Sequence, residues 1–199
     1  MRARRRLGSL SRDVRGVTII EFAMILPALC VVLLAIFEIG WRQYVSSIVQ
    51  GTLHEAARMA TVGGKSTTDI DTYVKGRLRS FSHAATVETN TRSYDEFTAV
   101  GTPELITSDT APLGQFNPGD CYEDFNNNGR YDLDRGKSGL GGADDIVRYE
   151  VSISYPRMFP IAGFLGWGNT DTIVANTVLR NQPYAGRSVA TPPIRCTTP

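Results

Sequence analysis

Histidine is nearly missing from this chain, with only His54 and His83 among 199 residues. Neither stands in an H-E-x-x-H zinc pattern, and there is no G-x-S-x-G elbow, phosphate-binding glycine loop or C-x-x-C pair. Serine and aspartate are common but form no nucleophile–base constellation, so the chain does not read as an enzyme. Net charge is equally scarce, +1 at pH 7, which removes the global positive field on which nucleic-acid binding draws. Internal repeats are absent. Cysteine is limited to three residues. Cys30 lies in an apolar run and reads as a small apolar filler. Cys121 and Cys196 lie far downstream and are a candidate disulfide that would tie down a proline-rich tail, with two unpaired thiols as the alternative.

What is present is concentrated at the start. Arg2, Arg4, Arg5, Arg6, Arg12 and Arg15 crowd the leader against a single Asp13. An apolar run then extends from Val17 to Gly40. Its length is roughly 36 Å as a helix, enough to cross a hydrocarbon core of ~30 Å. A secretory signal would have an apolar region of only about 7–15 residues and a small-x-small cleavage site. Here Phe37-Glu38-Ile39-Gly40-Trp41 leads into further helical sequence, and Trp41 and Tyr44 sit where an interfacial aromatic belt belongs. The reading is a retained span with its basic side cytoplasmic.

Beyond the span the period stays helical. Trp41, Val45, Ile48, Thr52, Ala56 and Met59 recur at three- and four-residue spacings, predicting one helix to about Val62 that stops at Gly63-Gly64. A second helix is expected over Thr67–Phe81, capped by Thr68 or Asp69, with Ile70, Tyr73, Val74 and Leu78 inward. Val147, Tyr149, Val151, Ile153 and Tyr155 alternate with polar residues and predict a strand over Ile146–Tyr155. Thr172–Arg180 is a second strand; Thr86–Asn90 and Phe97–Val100 are weaker candidates. Gly114–Gly142 reads as glycine- and proline-rich loop. The class is α+β: a basic leader (1–16), a transmembrane helix (17–40), its continuation outside the membrane (41–62), and a small head with an antiparallel sheet and a loose tail (63–199).

Glu21 is the anomaly. A carboxylate near the start of an apolar span costs roughly 2.5–3.5 kcal/mol even on lenient insertion scales. It follows Gly16 by five positions, and glycine gives a protease an unhindered peptide. Cutting after Gly16 would free the Val17 α-amine, which the Glu21 of a neighbouring chain could meet. An uncut anchor with Glu21 facing water is the alternative. The string Gly16-Val17-Thr18-Ile19-Ile20-Glu21-Phe22 resembles the processing site of type IV pilin-like proteins. The continuation Ala23-Met24-Ile25-Leu26-Pro27, with Phe37-Glu38-Ile39-Gly40 and Ala56-Ala57-Arg58-Met59-Ala60, is similar to TadE-like pseudopilins of the tight-adherence pilus. Val178-Leu179-Arg180-Asn181-Gln182-Pro183-Tyr184 is similar to that family's closing segment. The head is larger than in the smallest members. The resemblance implies a structural subunit of the bacterial inner membrane with a periplasmic head, cut by a prepilin peptidase and working with other pilins and the pilus assembly machinery. The competing function is an uncleaved single-pass membrane protein displaying a calcium-stabilised adhesive or scaffolding head.

Three further features carry expectations. Asp124-Phe125-Asn126-Asn127-Asn128-Gly129-Arg130-Tyr131-Asp132 fits D-x-[DN]-x-[DN]-G, the opening of a calcium loop. Asp124, Asn126, Asn128 and Asp132 would bind Ca²⁺ through side chains and Arg130 through its carbonyl. Arg135 holds the usual glutamate position, so Asp134, or Asp144 and Asp145, would have to complete the set. A polar turn without metal is the alternative. Glu38 is expected to snorkel or to pair with Arg42 at i,i+4, with pairing to another subunit as the alternative. The apolar stretch Met158–Trp167 is expected to pack over the sheet, with membrane or subunit contact as the alternative.

Overall fold

A computed structural model of the protein describes residues 16–62, 64–81, 84–159, 163, 166, 168–182 and 191–198. The leader before Gly16, Gly63, His83, most of 160–167, and 183–190 with Tyr184 lie outside the described residues. The class is α+β: a long N-terminal helix and a head built on antiparallel sheets.

Helix α1 spans Val17–Val62 and passes through Pro27 without a break. Every side chain from Val17 to Leu33 is exposed, and an 18-residue window within it has a mean hydropathy of 2.7 with none of it buried. The helix is long and apolar enough to cross a membrane. The burial pattern changes further along, where Val49, Leu53, Ala56 and Ala60 are inward, an i, i+4, i+7, i+11 stripe of the kind that seats a helix on a core. The chain forms two compact units. Residues up to Val45 group with Arg157–Asn169, and Ser46–Pro156 group with Thr170–Pro199.

In the second unit, α2 runs over Thr67–Phe81 and buries Ile70, Val74 and Leu78, as the periodicity requires; Tyr73 stays partly exposed. Its cap differs from both expected residues. Ser66 Oγ accepts the Asp69 N–H at 3.2 Å, and Asp69 Oδ2 accepts the Ser66 N–H at 3.0 Å. This reciprocal S-x-x-D box is the more favourable solution, because it satisfies two backbone donors where a lone cap satisfies one.

The main sheet has the order β4-β1-β5-β6, all neighbours antiparallel, with β1 Thr86–Tyr94, β4 Lys137–Ser138, β5 Ile146–Pro156 and β6 Thr170–Arg180. β5 is central. Val147, Tyr149, Val151, Ile153 and Tyr155 are all at most 2% exposed, so one face of the alternating strand is entirely inward. Tyr149 donates to Asp71 Oδ1 at 2.8 Å, fixing α2 over that face, and Phe81 meets the Tyr155 ring edge-on. A second sheet has the order β2-β3-β7, antiparallel, from Ile106–Ser108, Cys121–Glu123 and Ile194–Cys196.

Two expectations fail. Phe97–Ala99 is a 3₁₀ turn rather than a strand: Ala99 donates to Glu96 at 3.2 Å and Val100 to Phe97 at 3.3 Å, while Ala99 packs with Tyr94 and Ile146. Only one of its residues points inward, so no alternating face exists to pair. The Gly114–Gly142 stretch carries strands β3 and β4. Its Gly136 lies so close to Tyr94 that a Cβ would fall 2.7 Å from the ring.

Ser66→Ala should lower the stability of the head by about 1 kcal/mol, whereas Thr68→Ala should change it by less than about 0.5 kcal/mol. Thermal or urea melts of the detergent-solubilised chain measure both. Equal effects would contradict the cap assignment.

Candidate functional site

The start of α1 is simple. Gly16 O accepts the Ile20 N–H at 3.2 Å, the first bond of the helix, and a Cβ at Gly16 would meet nothing within 4 Å. The Gly16–Val17 bond therefore lies at the junction between turn and helix, with open space around the glycine. Val17 (45% exposed), Glu21 and Phe22 (58% exposed) lie on the exposed first turns. Glu21 has no hydrogen-bond or ionic partner among the described residues. Each large apolar side chain moved out of water contributes about 1.5–3 kcal/mol. Burial of Ile19, Ile20, Phe22, Met24 and Ile25 therefore outweighs the cost of Glu21 several-fold. The glutamate does not decide whether the helix enters an apolar phase; it decides what must meet it there.

At the other end of the span Glu38 meets two groups that the sequence reading did not name. Arg157 Nη1 approaches Glu38 Oε1 at 3.5 Å, and Glu38 Oε2 accepts the Phe159 N–H at 3.3 Å. The described part of the 157–169 segment belongs with this unit and not with the sheet, because Phe159 meets Phe37 with ring centroids 6.4 Å apart. An Arg that immediately precedes an apolar run, in a chain whose span holds an unanswered carboxylate, is the signal that could have found this pair.

The acidic loop lies in the second unit. Asp124 is fully buried. Its Oδ1 accepts the Asn128 N–H at 3.0 Å and its Oδ2 the Gly129 N–H at 2.8 Å, while the Arg195 guanidinium from β7 donates to the same Oδ2. Gly129 takes φ 79°, the left-handed turn this position demands. The side-chain amides of Asn126 and Asn128 both donate to Asp132 Oδ2, at 2.6 and 2.5 Å, and Arg130 donates its N–H to Asn128 Oδ1 at 2.8 Å. The expected distal carboxylates are used elsewhere. Asp144 pairs with Arg180 at 3.0 Å, Asp145 accepts the Gly142 N–H at 2.7 Å, and Asp134 accepts the Tyr94 hydroxyl at 2.8 Å. Arg135 turns to Glu96 and lies over the Phe125 ring.

The carboxylate that does face the loop is Glu104, only 2% exposed. Its two oxygens accept the Phe125 and Asp132 N–H groups at 3.0 and 3.1 Å. Nothing local marks Glu104 in the sequence, since it lies twenty positions before Asp124 in a stretch without period. Arg195 was more accessible: a Cys121–Cys196 bridge between antiparallel strands brings the residue next to Cys196 toward the start of the loop. The structure joins those cysteines, with Cys121 opposite Cys196 in the β3–β7 register. The described end of the tail is thus paired rather than loose. Among the described residues, no three His, Cys, Asp or Glu side chains are grouped to hold a metal. Any cation in this loop would need the amide oxygens of Asn126 and Asn128, which a half-turn of each amide would present.

Burial pushes Asp124 up, but the Gly129 N–H, Arg195 and the Asn128 N–H outweigh it and hold the carboxyl below the usual aspartate range. The Thr110 hydroxyl and N–H and the Asn117 N–H hold Asp120 down likewise. Burial raises Glu104, reinforced by the charges of Asp124 and Asp132 and opposed by its two N–H bonds.

The TadE-like protein family model matches residues 16–58. No curated protein matches the chain, and no solved structure does. The match covers nearly the whole of α1, and the head stands outside it.

A depressed carboxyl stabilises the fold above its unfolded pKa and loses that contribution as pH falls through the folded value. A raised one has the opposite sign. Melting temperature should accordingly hold or rise slightly as pH falls from neutrality and Glu104 takes up its proton, and fall once the pH drops below the ordinary aspartate value of about 4, as Asp120 and Asp124 protonate. Asp124→Asn should flatten the acid limb in a pH series of melts; an unchanged slope would contradict the role given to Asp124.

Proposed function

We propose that the protein is a pilin-like subunit of a tight-adherence pilus, trimmed after Gly16 and held in the membrane by the first half of α1 until it is assembled. The observation that carries this reading is Glu21. It is a carboxylate on a helix exposed on every side, five positions beyond a glycine that opens the helix, with no partner among the described residues. A freed Val17 amine on an adjacent, axially offset chain is the charge that would answer it. The TadE-like match over residues 16–58 supports the same reading, because it begins at Gly16.

The partners follow from the chemistry of that step. A prepilin peptidase would remove the leader, and other pilins and the assembly machinery would pack against the exposed apolar helix. The arginine-rich leader favours a cytoplasmic N-terminus in the bacterial inner membrane and a periplasmic head. The role is structural, with the head free to make surface contacts in attachment.

Mass spectrometry of the membrane-extracted protein should give a mature N-terminus at Val17, and Gly16→Val should leave the leader in place. A leader retained by the native chain would instead favour an uncleaved protein that displays its head.

We further propose that the 124–132 loop takes a structural Ca²⁺, on the strength of the convergence of Asn126 and Asn128 on Asp132 and the turn at Gly129. Asp124, Asn126, Asn128 and Asp132 would hold the ion through side chains and Arg130 through its carbonyl, binding a hard cation in an oxygen cage. Chelation by EDTA should then lower the melting temperature of the head, by mass action, and Asp132→Asn should abolish that dependence. An unmoved melt would mean that Arg195 alone supplies the loop's positive charge.

A further inference from the structure

The edges of the two sheets are not built alike. β4 ends one side of the main sheet with only two residues, one of them Lys137, and β2 pairs irregularly over three. Short, charged or irregular edges resist pairing with another chain. β6 has none of these protections. It runs for 11 residues, Thr170–Arg180, as the outer strand of the main sheet, and it keeps its register with β5 throughout. It contains no proline, lysine or glycine, and no ionisable residue from Thr172 to Leu179.

The register decides which of its groups face outward. One step beyond the Ile146–Arg180 pair, Asn181 donates its N–H to Asp145 O at 2.9 Å. Bonded pairs alternate along an antiparallel ladder, so the odd-numbered residues of β6 turn their main chain to β5. Thr172, Val174, Asn176, Val178 and Arg180 turn theirs away. The Thr172 N–H is taken by Asp171 Oδ1 at 3.1 Å. From Val174 to Arg180 the outward groups have no main-chain partner among the described residues. The side chains of these residues are exposed as well, Val174 by 58% and Val178 by 41%.

On its exposed face the open stretch reads valine, asparagine, valine in either direction, at Val174, Asn176 and Val178. An antiparallel copy of the strand centred on Asn176 therefore sets Val174 against Val178 of the second copy and Asn176 against itself. Each outward N–H then meets a carbonyl across the axis. On the other face Ile173 comes opposite Leu179 of the second copy, which extends the buried side of the sheet. Centring the pair on Ala175 or on Val174 would instead leave Val178 against a threonine. Arg180, already held by Asp144 at 3.0 Å, falls at the end of the seam beside Thr172, whose N–H is satisfied.

We propose that β6 is a self-pairing edge: two copies of the chain join their main sheets through antiparallel β6 strands related by a two-fold axis at Asn176. A seam of two strands is small beside a standard interface of about 1,600 Å², so the contact is a transient one, made where chains are crowded. It belongs to the head and does not depend on a cut after Gly16.

Full chains in detergent, all carrying Cys30→Ser, are prepared with Val174→Cys or with Val178→Cys and treated with a short bismaleimide. A mixture of the two should cross-link several-fold more than either alone, because 174 faces 178 only across the axis. Asn176→Lys in both partners should lower the yield several-fold by opposing like charges, and Asn176→Lys in one with Asn176→Glu in the other should restore it. Position 176 directs its main chain away from β5, so these changes should leave the melting temperature of the head unmoved. Equal yields from the mixture and from the single variants overturn the register. Absence of any cross-link overturns the pairing, and thiols at 174 and 178 that also resist a monofunctional maleimide would show the edge covered by another part of the same chain. A yield that Asn176→Lys does not change means that the chains associate elsewhere, and overturns the proposal too.

Discussion

The carboxylates of Glu21 and Glu38 at the two ends of one apolar helix set the terms for the rest of the chain. From Val17 to Leu33 every side chain is exposed, so this helix needs an apolar surrounding that the protein does not supply. Each charge embedded in it then needs a specific answer, because an ionised group in hydrocarbon is tolerated only when paired. Glu38 finds its answer inside the chain, in Arg157 and the Phe159 N–H. Glu21 has none among the described residues. One end of the span is self-contained and the other is open, and the proposed assembly contact lies at the open one.

The head obeys a different constraint. Its main sheet is organised by β5, whose inward face is continuous from Val147 to Tyr155, with α2 held over it through Asp71 and Tyr149. The small sheet has little apolar material of its own. It is held by polar and covalent ties: the Cys121–Cys196 bridge, Asp124 with Arg195, and Asp120 with Thr110 and Asn117. Of its residues, Tyr122 is the one large side chain that is fully buried, with Phe116 edge-on to it. This division explains why acid should act on the second sheet first: its ties are carboxylates, whereas those of the main sheet are burial.

Features with a local period were legible in the sequence. Both helices have the expected bounds, and β5 was readable because five apolar residues alternate with polar ones. The loop motif at Asp124 was legible as a turn around Gly129. Among features that depend on meeting a distant residue, the Cys121–Cys196 bridge was legible because each exported cysteine had one candidate partner, and the charged contacts were not. Glu104, Arg157 and Arg195 act through contacts that span from about twenty to more than a hundred positions, and each looks like an ordinary surface charge in its own window. The Phe97–Ala99 turn failed for a related reason: its composition suits a strand, but only tertiary contact with Tyr94 and Ile146 reveals that a single residue is buried.

The most direct test of the central claim is zero-length carbodiimide cross-linking of assembled material, prepared from equal parts of ¹⁴N- and ¹⁵N-labelled chain and read by mass spectrometry. The account predicts an amide between a Val17 α-amine and the γ-carboxyl of Glu21, with the two halves of the linked peptide carrying mixed labels. Assembled, trimmed chains in which Glu21 gives no such link, or only links within one label, would contradict it.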